Sequence, residues 1–245
     1  MASIAVIPAR GGSKSVPRKN LIDVLGHPLI SYTIDSALKC KSIDRVIVST
    51  DDPEIARCAI MYGSEVVIRP TEFATDTSRD DGLILHILRE FPEISQSDQI
   101  VFLRPTHPIR NPETIKKAQE KFEASYQKFS SLRSMKLSNE IVFKTWGITE
   151  GGRAIPAFNS DLTEVEDPSN APRQVLPPTY YQDGYVEVLP FETVVKFSNT
   201  AGPRVLPFII DEYSHDIDYL SDLQQIISYL NSGNLPEWFS FPVKK

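Results

Sequence analysis

Residues Pro8 to Asn20, PARGGSKSVPRKN, gather Arg10, Lys14, Arg18 and Lys19 around Gly11 and Gly12. Glycines let backbone amides approach an anion closely, and the four cations supply positive charge, so this segment has the makings of a polyphosphate loop. Its spacing is neither Gly-x-x-x-x-Gly-Lys-Ser/Thr nor Gly-x-Gly-x-x-Gly, which disfavours a P-loop kinase and a dinucleotide dehydrogenase. Near the other end, His215-Asp216-Ile217-Asp218 places two carboxylates at i and i+2. In an extended segment these face the same side and suit one hard divalent ion such as Mg²⁺, which keeps waters and substrate phosphates as its remaining ligands. An alternative stands beside it: Asp218 as the cap of a helix beginning at Tyr219.

Such groups need a scaffold that brings the two chain ends together. Short apolar, β-branched runs alternate with helix-period segments along the chain. Strands are expected at Ile4–Pro8, Arg45–Thr50, Glu65–Arg69, Gln99–Leu103, Tyr185–Leu189 and Val205–Ile210. Helices are expected from about Pro28 to Cys40, from the Asp52-Pro53 cap to Gly63, from Asp80 to Phe91, from Asn111-Pro112 to Ala124, and from Tyr219 to Leu230. Repeated strand–helix units imply a mostly parallel sheet covered on both faces, a three-layer α/β fold. Ligands of such sheets bind beyond the carboxyl ends of the strands. That rule selects Ala9 to Lys14, Thr50-Asp51-Asp52, Arg69-Pro70 and Arg104-Pro105-Thr106, a set rich in cations and small polar side chains.

The 245 residues suit one domain with at most a small subdomain. Between 137 and 182, Gly151, Gly152, Pro156, Pro168, Pro172, Pro177 and Pro178 interrupt any long helix, so this stretch is expected to be an excursion serving as a lid or subunit contact. Trp238 and Phe239 are expected to anchor the C-terminal segment on the core.

A formal net charge of −6, from 26 Lys plus Arg against 32 Asp plus Glu, leaves no basic field for a nucleic-acid backbone. Two cysteines, Cys40 and Cys58, fall in helical segments and predict reduced thiols rather than a disulfide framework. The first apolar run stops at Arg10, too short for a signal peptide, and no run approaches a membrane span, so a cytoplasmic protein is expected.

Six ordered blocks over nearly the whole chain resemble the acylneuraminate cytidylyltransferases, the CMP-sialic acid synthetases. They are IPARGGSKSVPRKN, VSTDDPEIA, the segment from Val67 through IRPTEFATDT to Ser78, FLRPTHPIR, APRQVLP and HDIDYLSDL. The resemblance implies a Rossmann-like nucleotidyltransferase domain, a Mg²⁺-dependent enzyme that transfers CMP from CTP to the anomeric hydroxyl of a nine-carbon acidic sugar, and a homodimer whose contact element is the 137–182 excursion. It further implies nucleotide binding by Ala9, Arg10, Gly12, Ser13, Lys14, Asn20, Arg69, Asp76 and Thr77, and metal binding by Asp216 and Asp218. The sugar acid would meet Arg104, Thr106, Arg173, Gln174, Gln182, Asp183 and Tyr185, while Arg10, Lys14, Asp216 and Asp218 would carry the catalysis.

Two departures fall on the expected sugar side. His107 stands where the family block has Ser, and Gln182-Asp183-Gly184-Tyr185-Val186-Glu187 stands where many relatives have Asn-Gly-Ala/Ser-Ile-Tyr. A carboxylate at Asp183 points toward a related acid, such as deaminated neuraminic acid, legionaminic acid or another bacterial nonulosonate. Two competing readings remain: a nucleotidyltransferase for Kdo or another sugar, and a non-catalytic nucleotide-binding regulator that kept the fold.

Overall fold

A computed structural model of the chain describes residues 1–75, 77–158 and 162–245. In chain order its strands are β1 (Ser3–Pro8), β2 (Asp23–Val24), β3 (His27–Pro28), β4 (Arg45–Thr50), β5 (Glu65–Ile68), β6 (Gln99–Phe102), β7 (Ser131–Leu137), β8 (Trp146–Ile148), β9 (Ala154–Pro156), β10 (Tyr180–Pro190) and β11 (Val205–Ile209). The α-helices are α1 (Leu29–Lys39), α2 (Pro53–Met61), α3 (Asp80–Glu90), α4 (Pro112–Glu123), α5 (Phe191–Phe197) and α6 (Leu220–Leu230).

Seven strands form one sheet in the order β11-β7-β10-β6-β1-β4-β5. β6, β1, β4 and β5 pair in parallel, and β10 runs antiparallel to β6, with Glu187 opposite Phe102. Chain order runs outward from β1 through β4 to β5 and then resumes on the other side at β6, so the sheet has a topological switch point between β1 and β6. Loops leaving those two strands diverge there and open a crevice.

Strand alternation builds the three layers. Ala5 and Ile7 of β1 and Val46 and Val48 of β4 turn to one face, under Ile30 and Ile34 of α1, Ile55 and Ala59 of α2, and Ile115 and Phe122 of α4. Ile4, Val6, Ile47 and Ile100 turn to the other, under Ile84 and Ile87 of α3 and Phe191 of α5. Each fully buried side chain of this size contributes about 1.5–3 kcal/mol, enough to fix the register of β1 against a slip that would exchange its two faces. α2 and α4 start as their sequences demand: Asp52 accepts the N–H groups of Glu54 and Ile55, Asn111 accepts that of Glu113, and a proline follows each cap.

α6 packs Leu223, Ile226 and Leu230 against Tyr32, Ile217 and the partly buried Trp238 and Phe239. Phe239 stacks on Tyr32 at 6.4 Å between centroids, which is the anchoring expected of the C-terminal segment.

β7 and α5 were not expected. Ser131-Leu-Arg-Ser-Met-Lys-Leu137 buries Ser131 and Ser134 as well as Leu132, so its inward positions carry no hydrophobic alternation. Helix α5 carries Thr193, Val194 and Val195, a β-branched run that reads locally as strand.

The chain divides into two compact units, Met1–Ser134 with Gly184–Lys245, and Met135–Asp183. In the second, β8 and β9 pair as an antiparallel hairpin, and buried Phe143 meets Phe158 edge to face at 5.6 Å. Trp146, Ile148, Ile155 and Leu162 are exposed there.

Candidate active site

A cavity of about 760 Å³ lies in the first unit, at the size usual for small-molecule sites. Its walls come from four stretches of chain: the turn after β1, the stretch from the end of β5 to the start of α3, the loop after β6 and the segment between β11 and α6. Arg10, Lys14, Lys19, Arg69 and Arg104 line it with Asp80, Asp216 and Asp218. Five cations against three carboxylates make a local positive field in a protein of negative net charge.

The turn after β1 is held from both sides. Asn20, buried, donates from Nδ2 to the Arg10 carbonyl at 2.9 Å, and the Gly11 N–H donates to Asp51 Oδ1 at 3.0 Å. A side chain at Gly11 would place Cβ 2.8 Å from Asp52 Oδ2, so close approach of this turn to the end of β4 requires glycine. Ser13, Lys14 and Asn20 line the cavity, whereas Ala9 is buried in the core with its N–H on the Ser49 carbonyl.

Arg69 follows β5, is 6% exposed, and donates from Nη1 to the Phe73 carbonyl at 3.2 Å. Burial pushes its pKa down from the ordinary arginine value. Its Nε has no hydrogen-bond partner among the described residues, an orphaned donor that an anion in the cavity would satisfy. Thr77 is exposed, with its hydroxyl 3.4 Å from that of Thr75, and Asp76 lies outside the described residues. Thr75, Ser78 and Asp80 line the cavity instead; neither a hydroxyl in a turn nor a carboxylate in the first turn of a helix carries a local signal that sets it apart.

The Asp-x-Asp segment reaches the site through one backbone bond, from the Ile217 N–H to the Thr106 carbonyl at 3.0 Å. Asp216 and Asp218 both line the cavity. The capping role weighed for Asp218 belongs to Asp222, whose Oδ2 accepts the N–H groups of Asp218 at 2.9 Å and Tyr219 at 2.7 Å. Oδ1 of Asp216 is buried, has no hydrogen bond among the described residues, and faces Nε2 of His107 at 3.8 Å. No group of three or more His, Cys, Asp and Glu able to hold a metal occurs among the described residues. Two carboxylates, one with an unsatisfied buried oxygen, beside open space for phosphate oxygens and water, fit a Mg²⁺ ion that takes most of its ligands from substrate.

Arg104 and Thr106 also line the cavity. Tyr185 does not: it is fully buried, its hydroxyl donating to Glu212 Oε1 at 2.5 Å and accepting the Asn111 N–H at 2.5 Å. Burial, followed by the Glu212 charge, pushes its phenol well above the ordinary range. Its ring meets His107 edge-on at 5.8 Å, and Ser214 Oγ lies 3.2 Å from His107 Nδ1, so His107 is a buried tie in the loop after β6. Arg110, 1% exposed, ties this region together by donating to the carbonyls of Tyr185 and Arg104 and to Thr33 Oγ1. Gly12 makes no close approach that would exclude a side chain. Arg173, Gln174, Gln182 and Asp183 belong to the second unit; the first three are exposed and Asp183 is buried.

Comparison with known proteins matches a cytidylyltransferase family model to residues 4–150. The chain is 30% identical over 223 residues to CMP-N,N'-diacetyllegionaminic acid synthase of Legionella pneumophila, covering 89% of this chain and 90% of that one. It is 38% identical over 131 residues to pseudaminic acid cytidylyltransferase of Campylobacter jejuni, covering 53% and 56%, so it spans about half the length of that relative. With the N-acylneuraminate cytidylyltransferase of Streptococcus agalactiae it shares 28% identity over 237 residues, 94% of this chain and 54% of the other. Among solved structures, a CMP:2-keto-3-deoxy-manno-octonic acid synthetase complexed with CTP superposes with a TM-score of 0.68 at 14% identity, covering 95% and 100%. The 4-diphosphocytidyl-2C-methyl-D-erythritol synthase of Anaerococcus prevotii follows at 0.58 and 13%, covering 94% and 98%; both likenesses concern the fold.

Proposed function

The chain belongs to the cytidylyltransferase family, and on that premise we propose that it transfers CMP from CTP to the anomeric hydroxyl of a nine-carbon 2-keto sugar acid, with release of pyrophosphate. The carrying observation is the convergence of Arg10, Lys14 and Arg69 with Asp216 and Asp218 on one cavity at the switch point of the sheet. The names of the relatives, legionaminic, pseudaminic and N-acylneuraminic acid enzymes, support a nonulosonate as acceptor.

In the reaction the C2 hydroxyl oxygen of the sugar attacks the α-phosphorus of CTP. The O–P bond forms as the bond from the α-phosphorus to the bridging oxygen breaks, pyrophosphate leaves with that electron pair, and the hydroxyl proton passes to solvent or a site base. Negative charge grows on the leaving group, so donors fixed in advance lower the barrier. Arg10 and Lys14 bind the triphosphate and neutralise that charge, Ser13 adds a hydroxyl donor, and Arg69 offers its unsatisfied Nε–H. Asn20 holds the Arg10 backbone in place. Asp216 and Asp218 would hold Mg²⁺, which when bound screens phosphate charge and orients the phosphates. Arg104 and Thr106 face the sugar.

The proposal extends to a homodimer formed through the second unit, whose exposed Trp146, Ile148 and Ile155 are apolar surface of the kind partners cover. A cytoplasmic location is supported by Cys40 and Cys58, both buried free thiols. No helix among the described residues is long and apolar enough to cross a membrane.

The deciding experiment is pyrophosphate release from CTP and Mg²⁺ with N-acetylneuraminic, deaminated neuraminic, legionaminic, pseudaminic and 2-keto-3-deoxy-manno-octonic acids. Turnover with a nine-carbon acid supports the proposal and names the acceptor. Turnover with the eight-carbon acid alone replaces the sugar, and CTP binding without turnover on any acid favours a non-catalytic regulator.

A further inference from the structure

Glu187 lies in the β10 segment that pairs with β6, and is 2% exposed. A carboxylate so buried needs cationic partners, and they include Arg104, whose Nη2 is 3.3 Å from Oε1, and Arg133, whose Nη2 is 3.5 Å from Oε2. The same Nη2 of Arg104 also donates to Asp80 Oδ2 at 2.8 Å. The Arg104 cation thus meets two carboxylates. Burial works against the Arg104 cation, but Asp80 and Glu187 outweigh it and hold its pKa above the ordinary value.

The stem of Arg104 is confined as well. Its guanidinium carbon stands 5.3 Å from the centroid of Phe102, and a Cβ on Gly184 would lie 3.1 Å from its Cδ. Both carboxylates take Nη2, so Nε and Nη1 make no hydrogen bond to the described residues, while the side chain lines the cavity. A guanidinium fixed in this way offers directional N–H donors with little net charge.

Resting on the function proposed above, we infer that Glu187 is a positioning residue that sets sugar specificity. By holding Nη2 of Arg104 and cancelling its charge, it dedicates Nε and Nη1 to a neutral acceptor on the sugar, an acylamido carbonyl, and leaves the sugar carboxylate to other groups. A donor pair built for that carbonyl discriminates against an analogue lacking it, because donors that the bound sugar shields from water are then left unsatisfied.

The test compares wild type with Glu187→Gln on an N-acylated nonulosonate and its deaminated analogue. In the variant, KM for the acylated acid rises about tenfold, and its kcat/KM advantage over the deaminated acid falls toward one. KM for CTP stays within about twofold. An unchanged advantage, or equal rises in both KM values, overturns the inference. Wild-type protein supplies a second readout independent of turnover and of how the variant folds. In ¹⁵N-arginine NMR without ligand, the Arg104 guanidinium, assigned by its loss in Arg104→Lys, shows separate, slowly rotating Nη signals. Freely averaged signals overturn the positioning role. Wild-type protein inactive on every acid would sink the proposed function, and the Arg104 signals would still decide whether Glu187 fixes that side chain.

Discussion

Lys19 Nζ donates to the Ile217 carbonyl at 2.7 Å and stands 3.2 Å from Asp218 Oδ1, joining the phosphate loop to the Asp-x-Asp segment across 199 residues of chain. A lysine cation thereby sits on one carboxylate of the candidate metal pair. That carboxylate is 64% exposed on its side chain, and the Tyr219 N–H at the start of α6 goes to Asp222 instead.

Asp218→Ala is therefore expected to lower turnover on the order of 10²-fold or more, because charge neutralisation acts at the transition state. Thermal unfolding should shift by no more than about 2 °C, as for a surface substitution. Pyrophosphate release and a melting curve on the same preparation check both halves; near-normal turnover would remove Asp218 from the metal site.

Lys14→Ala should impair both CTP binding and the chemical step, with kcat/KM for CTP falling on the order of 10²-fold. Unchanged kinetics at limiting and saturating CTP would refute its placement on the triphosphate.

Gly11→Ala forces a methyl group to within 2.8 Å of Asp52 Oδ2. Asp52 is the cap of α2, so displacing it costs about 1 kcal/mol. A lowered melting temperature together with a raised KM for CTP is expected; wild-type values for both would mean the turn relaxes without consequence.

Tyr185→Phe separates a structural role from a substrate contact. The hydroxyl bridges Glu212 and the Asn111 N–H inside the core, and its loss should cost about 1–3 kcal/mol of stability. KM for the sugar acid should stay unchanged. A selective rise in that KM would restore Tyr185 to the sugar site.

Burial pushes the Cys58 thiol above its ordinary pKa. Iodoacetamide at pH 8 should leave it unmodified in the native protein and label it after denaturation. The neutral thiol's contribution to stability is complete below the unfolded value of about 8.5 and is lost as pH rises through the higher folded value. Rapid native labelling at pH 8 would contradict the burial.

By itself the sequence determined the alternating strand–helix order, because β-branched runs and capped amphipathic helices are local patterns that the core then accepts: Arg45–Thr50 and the Asp52-Pro53 start of α2 were both legible. It also marked Arg10, Lys14, Asp216 and Asp218, since glycine-rich cationic loops and paired acids are local signatures too. Only tertiary structure decided what those groups meet. β7 carries serines inward and gains its place from pairing; α5 buries Thr193 and Val194 of its β-branched run. The antiparallel direction of β10 sets Glu187 beside Phe102, where Arg104 and Arg133 converge on it. Asp222, not Asp218, caps the last helix, and Tyr185 turns into the core rather than the cavity. Each of these depends on contacts between residues tens to hundreds of positions apart, and no local periodicity records which distant partner a buried charge or hydroxyl will find.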